Sequence, residues 1–135
     1  MKNATVVALV AVTVAIIVSG VKMSKEETVR QEETVRHVVV FKYKEGASED
    51  KIQAVTDAFR ALQDKIPGIV SFEHGVNNSP EGKNQGFTHV YLLTFENAAA
   101  RDAYLPHPEH QKFGQVLGTS GLFEDAFVVD YVPSE

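Results

Sequence analysis

The chain has 135 residues, 44% of them hydrophobic and 23% charged, which suits one core-bearing domain plus an extension. A net charge of -5, with no basic stripe interleaved with aromatics, argues against a nucleic-acid partner. Cysteine is absent, which excludes disulfides, thiol catalysis and cysteine-based metal sites.

Residues 1–21 read as a signal peptide or an uncleaved membrane anchor. Met1-Lys2-Asn3 is a short basic start, and Ala4 to Val18 is almost wholly Ala, Val, Ile and Leu. The apolar run reaches roughly 18 residues, the lower edge for a membrane span. The expected location is therefore exported, either free or anchored, with any membrane contact made through this segment alone. Residues 22–36 are a polar tether in which Glu-Glu-Thr-Val-Arg occurs at 26–30 and again at 32–36. Two copies make a charged linker, not a repeat architecture.

The folded domain is expected over residues 37–133. Val38-Val39-Val40-Phe41-Lys42-Tyr43 is β-branched and aromatic, hence a strand. Strand alternation puts His37, Val39, Phe41 and Tyr43 on one face, and Val38 and Val40 on the other. Gly46 and Ser48 mark a turn and a helix N-cap. Ile52, Val55, Phe59, Leu62 and Ile66 follow at helical spacing until Pro67-Gly68 stops the run. Ile69 to Val76 predicts a second strand, and residues 77–86 a loop rich in Asn, Gly and Ser. Phe87 to Phe95 predicts a third strand, with His89, Tyr91, Leu93 and Phe95 on one face and Val90 and Leu92 on the other. A kinked helix over Asn97–Leu105 and Pro108–Leu117 follows, then a turn and a last strand from Ala126 to Val132.

The order β-α-β-β-α-β predicts an α+β, ferredoxin-like layer with both helices on one face of a four-stranded antiparallel sheet. Val38, Val40, Val90 and Leu92 make the opposite face apolar as well. A lone chain exposes that patch to water, so a second copy is expected to cover it, giving a homodimer packed sheet to sheet.

The kink carries the chemistry. Asp102 to Gly114 holds Tyr104, His107 and His110 between and beside Pro106 and Pro108, in a chain with only five histidines and four tyrosines. Neither proline fits a helix interior, so the first run ends near Leu105 and a second starts with Pro108 in its first turn. His110 falls in that turn, with Phe113, Val116 and Leu117 directed to the core. This brings a phenol and an imidazole to one wall, either as a rigid corner with solvated histidines or as part of a site.

The opening His37-Val-Val-Val-Phe-Lys, the run Phe87-Thr-His-Val-Tyr-Leu-Leu-Thr-Phe95, the corner Tyr104-Leu-Pro-His-Pro-Glu-His110 with Phe113, and the closing Phe127-Val-Val-Asp-Tyr131 together resemble the stress-responsive A/B barrel domain family. The resemblance spans His37 to Pro133 and implies a dimeric α/β barrel. Among members with a known activity are plant polyketide cyclases, and similarity to them implies Tyr104 and His110 as a catalytic pair for aldol-type chemistry. It also implies His37 and His89 as strand histidines of one pocket, and His107 as part of the corner. Val39, Phe41, Tyr91 and Leu93 share the face of those strand histidines, which is mostly apolar with a few polar points, as ligand pockets are.

Two classes of function follow. One is a dimeric domain that binds a small apolar ligand without catalysis. The other is a cyclase-like or lyase-like enzyme in which neutral His110 is a general base and Tyr104 donates a hydrogen bond to developing negative charge. No cofactor is expected. His107, Glu109 and His110 lack the carboxylate that completes a metal site, and haem binding enters only through the wider superfamily that the resemblance brings in.

Overall fold

The computed structural model describes residues 33–134. The expected leader or anchor at 1–21, and most of the tether, lie outside these described residues. The element order is β1 (Val35–Tyr43), α1 (Glu49–Arg60), α2 (Leu62–Lys65), β2 (Ile69–Val76), β3 (His89–Phe95), α3 (Ala98–Tyr104), α4 (Pro108–Thr119) and β4 (Phe123–Tyr131). The sheet runs β2-β3-β1-β4, every pairing antiparallel. This is the ferredoxin-like arrangement.

Several boundaries differ from those the sequence suggests, each for a local reason. β1 starts at Val35, not His37, because Val35 is buried and pairs with Phe95. The last residues of the expected tether therefore belong to the domain. β3 starts at His89, because the Phe87 amide closes a turn onto the Asn84 carbonyl at 2.8 Å. The first helical run is interrupted at Ala61, yet Leu62 and Ile66 keep its apolar face and remain buried. β4 begins at Phe123, where a bulge at Lys42/Tyr43 carries the pairing past the point at which alternation fades. Ser48 is the N-cap residue of α1, but its side chain makes no capping bond.

The core lies between the helices and one face of the sheet. Val35, Val39 and Phe41 from β1 and Tyr91, Leu93 and Phe95 from β3 are buried there, as alternation requires. Phe59 of α1 stacks on Phe41 at 5.9 Å and on Phe113 of α4 at 4.5 Å between ring centres, which joins both helices to the sheet. Each such ring stabilises the fold by about 1.5–3 kcal/mol through burial. Gly68 sets the approach of α3: its φ is 90°, and a Cβ there would lie 2.6 Å from the Ala100 side chain.

One helix position was expected in the core and is not. Val116 is 48% exposed. The inward stripe of α4 is Phe113 and Leu117, four residues apart, and Val116 is turned toward the shallow groove beside Leu62 and Lys65. On the outer face of the sheet, register puts Phe127 beside Val40 and Val129 beside Val38. With Val90 and Leu92 these residues form an apolar surface that no helix covers.

Candidate ligand site

The corner forms as proline chemistry dictates. Asn97 caps α3, its side chain accepting from the Ala100 amide at 2.8 Å, and α3 ends on Tyr104. Pro108 occupies the first turn of α4, and His107 Nδ1 caps that helix by accepting from the Glu109 amide at 3.2 Å. His107 is thus a structural cap. His110, one turn in, folds back so that its ring lies 4.2 Å from the Tyr104 ring, tilted by 36°.

The protonation pattern follows from the partners. His110 Nδ1 lies 3.0 Å from the Leu105 carbonyl, which can only accept, so the hydrogen sits on Nδ1 and the Nε2 lone pair is left uncommitted. His37 behaves similarly from the sheet side: its Nδ1 donates to Asp130 of β4 at 2.6 Å. The other Asp130 oxygen accepts from Arg101 of α3. Burial acts to raise the Asp130 carboxyl, but hydrogen bonds and charge from His37 and Arg101 outweigh it and hold the group below the usual carboxylate range. The His37 ring meets the Tyr104 ring edge-on at 5.8 Å.

Tyr104 joins the two imidazoles. It is fully buried, and its hydroxyl is the one buried side-chain polar atom among the described residues without a hydrogen-bond partner. Leaving such a group unpaired costs about 1–3 kcal/mol. Burial pushes the phenol up, so it stays protonated and can only act as a neutral donor or acceptor. It borders a cavity of about 240 Å³, walled by His37, Val39 and Phe41 from the sheet and by His110, Phe113 and Gly114 from α4. Larger hollows of about 370 and 330 Å³ lie beyond β2 and across the outer face, and no unpartnered buried polar atom serves them. Chemistry, not size, singles out the smaller cavity. Among the described residues no group of three or more potential metal ligands converges, there or elsewhere.

Residues 35–133 match the stress responsive A/B barrel domain over nearly all of the described chain. The protein belongs to that family. A stress-response A/B barrel domain-containing protein from Arabidopsis thaliana, HS1, is 32% identical over 100 residues, covering 74% of this chain and 90% of that one. Olivetolic acid cyclase from Cannabis sativa is 28% identical over 99 residues, covering 73% of this chain and 96% of the relative. Among solved structures, hydroxynitrile lyase from Passiflora edulis superposes with a TM-score of 0.68 at 28% identity, over 76% of this chain and 95% of that one. A dimeric ferredoxin-like protein of unknown function from Jannaschia sp. superposes at 0.61 with 30% identity, over 73% of this chain and 97% of that one.

Within this family fold the expected site residues divide. Tyr104, His110, His37, Val39 and Phe41 border one cavity. His89, Tyr91 and Leu93 do not, and register explains why. His89 pairs with Phe41, at the far end of β1 from His37, and Leu93 pairs with His37. The inner face of β3 is packed under α1, where Thr56 and Phe59 reach Tyr91, while the cavity lies over β1 and β4. Leu93 is plain core, and His89 sits against Tyr43 at 4.9 Å between rings.

Sequence reasoning missed Asp130, Arg101 and Gly114. Asp130 had a faint signal: it alternates with Val128 and Ala126, so a carboxylate stood on an inward face where a charge needs a partner.

Proposed function

We propose that this protein is a homodimeric domain that binds a small, uncharged, largely apolar molecule carrying an oxygen that pairs with Tyr104. The observation that carries this reading is the buried, unpartnered hydroxyl of Tyr104, a residue that borders a cavity walled otherwise by apolar side chains and two imidazoles. A ligand oxygen satisfies that hydroxyl, and the Nε2 atom of His110 accepts from any hydroxyl the ligand offers. Untargeted mass spectrometry of extracts from the purified protein tests it. A compound retained by the wild type and lost from Tyr104→Phe is the expected result; equal retention by both removes the reading.

The outer face supports the dimer. Val38, Val40, Val90 and Leu92 form one apolar surface with Phe127 and Val129, and a structural neighbour of the same fold is described as dimeric. Val40→Asp or Leu92→Asp places an unpaired charge in that interface at a cost of several kcal/mol. Sedimentation of either variant then gives monomer or aggregate, and an unchanged dimer excludes this face. Export by residues 1–21 belongs to the same reading and is checked by the N-terminal sequence of protein recovered outside the cytoplasm.

A second reading rests on His110 paired with Tyr104. Its Nε2 lone pair is uncommitted beside Tyr104, the arrangement of a general base next to a hydrogen-bond donor. His110 takes a proton from carbon next to a ligand carbonyl while Tyr104 donates to the enolate oxygen. The carbanion then adds to a second carbonyl, and the new alkoxide recovers the proton from His110. The run in reverse is a lyase reaction. Similarity to a cyclase and a hydroxynitrile lyase favours keeping this chemistry in view. The test is turnover of the co-purified compound, which His110→Ala should abolish while leaving its binding within about tenfold.

A further inference from the structure

Glycine in a helix interior is the least favourable residue after proline, so it usually has a packing or backbone reason. Gly114 of α4 has neither. It lies well inside the helix, its φ is outside the left-handed range, and a Cβ built on it meets no atom within 4 Å. Gly68 and Gly86 differ: added Cβ atoms there would sit 2.6 Å from Ala100 and 2.7 Å from Lys42. What Gly114 does have is a place on the wall of the Tyr104 cavity.

Residues 110 and 114 lie one above the other on a helix face. One turn therefore presents the His110 imidazole, and the next presents bare backbone. Gly118, a turn further on, also has open space where a Cβ would go. Across from this stripe stand Ala126 and Val128 of β4. Val128 shares the inner sheet face with Val39, yet is 52% exposed. Phe113, Gly114 and Leu117 of α4 border the same cavity from the other side, so the space between α4 and β4 is open. At the inner end of the gap is the fully buried Tyr104, whose hydroxyl no protein group satisfies.

We propose that Gly114 is the specificity-determining residue of this cavity: its missing side chain keeps open a channel between α4 and β4 along which the apolar part of the ligand lies. The inference rests on the binding reading above. The ligand class it implies is a narrow, uncharged molecule with a compact oxygen-bearing end held at Tyr104, and an apolar remainder whose bulk is limited at Gly114. A helix built for stability alone would carry alanine there, since space is available and alanine is the better helix former.

Methyl ketones of increasing length, from butanone to decanone, probe this directly. Their carbonyl accepts from Tyr104, and their chains measure the channel. Saturation-transfer NMR with the whole chain compares the wild type with Gly114→Ala and Gly114→Leu. The expected result is that Gly114→Leu weakens the longest ketones by about tenfold, with butanone held within roughly twofold, and that Gly114→Ala gives a smaller loss in the same order. Gly114→Ala should also raise Tm by roughly 4 °C, because nothing opposes the better helix former.

Two results overturn the inference while leaving the cavity reading intact. One is a fall in Tm for Gly114→Ala, which makes the glycine a packing necessity. The other is an unchanged length profile in both variants. If Gly114→Leu fails to fold, the alanine variant decides by itself through the same two measurements. A different result, in which the wild type binds no ketone or Tyr104→Phe binds all of them equally well, defeats the binding reading, and this inference falls with it.

Discussion

Two tyrosine–histidine groups lie at opposite ends of the core beside the inner face of the sheet, and hydrogen bonding sets them apart. At one end Tyr91 is buried with its hydroxyl 2.8 Å from Thr56 Oγ1 and 3.2 Å from the Tyr43 hydroxyl, while His89 packs on Tyr43 and meets Thr88 Oγ1 at 2.9 Å. At the other end Tyr104 is equally buried between His37 and His110, and its hydroxyl meets nothing. Both ends combine a buried tyrosine with histidine. Hydrogen-bond completion separates structure from site: the first group is closed upon itself, and the second is short of one partner.

The sharpest way to break that comparison is to remove each hydroxyl in turn. Tyr91→Phe strips a partner from both Thr56 and Tyr43 inside the core, so unfolding free energy should fall by about 2 kcal/mol. Tyr104→Phe removes a buried hydroxyl that has no partner to lose, so stability should stay level or rise by up to about 1 kcal/mol. Urea unfolding of the two variants therefore spans roughly 2–3 kcal/mol from one chemical change. Equal destabilisation would mean that Tyr104 is satisfied in solution, and the contrast between the two ends would be gone.

Next in size is the support beneath His37. Asp130 accepts from His37 and from Arg101, and these charge-assisted bonds are worth about 1.5–3 kcal/mol together with the charge they hold. Asp130→Asn should cost about 2 kcal/mol near neutral pH. The folded carboxyl titrates below the ordinary value of about 3.9. Its contribution is therefore complete above that value and is lost as pH falls through the lower, folded one. Wild type and Asp130→Asn should converge in stability on acidification below about pH 4. A gap of constant size across that range would show that the carboxylate charge is not what supports the site.

These two ends were not equally legible. The corner at Tyr104 and His110 could be read because its causes are local: two prolines stop one helix and start another, and helical spacing does the rest. The same holds for the faces of β1 and β3, where alternation alone sorts Val39 and Phe41 from Val38 and Val40. Alternation puts His89 on the face of His37, but it fixes a face and not a position along it. That position is set by the antiparallel register of β1 and β3, a non-local property that pairs His89 with Phe41. Asp130 was hidden for a like reason, since its two partners come from β1 and α3, far away in the chain. Val116 misled in the other direction, because an apolar residue at near-helical spacing reads as core until the neighbouring helix shows which stripe faces in.

The smallest effect expected is at the closed end, and it separates the two ends by pH. Burial holds the His89 imidazole below its ordinary value; Glu49 pulls it upward, and His74 adds to the lowering. The unfolded chain therefore binds a proton more readily than the folded one as pH falls below about 6.5. Stability tied to neutral His89 is complete above that value and is lost as pH falls through the folded one. His89→Gln removes the titration and keeps a side chain able to hydrogen-bond Thr88. Urea midpoints at about pH 7.5 and about pH 5.5 should thus differ less in His89→Gln than in the wild type. Ligand affinity should be untouched by the same substitution, because His89 does not border the Tyr104 cavity. A variant that keeps the full pH dependence would show that the closed group plays no part in it.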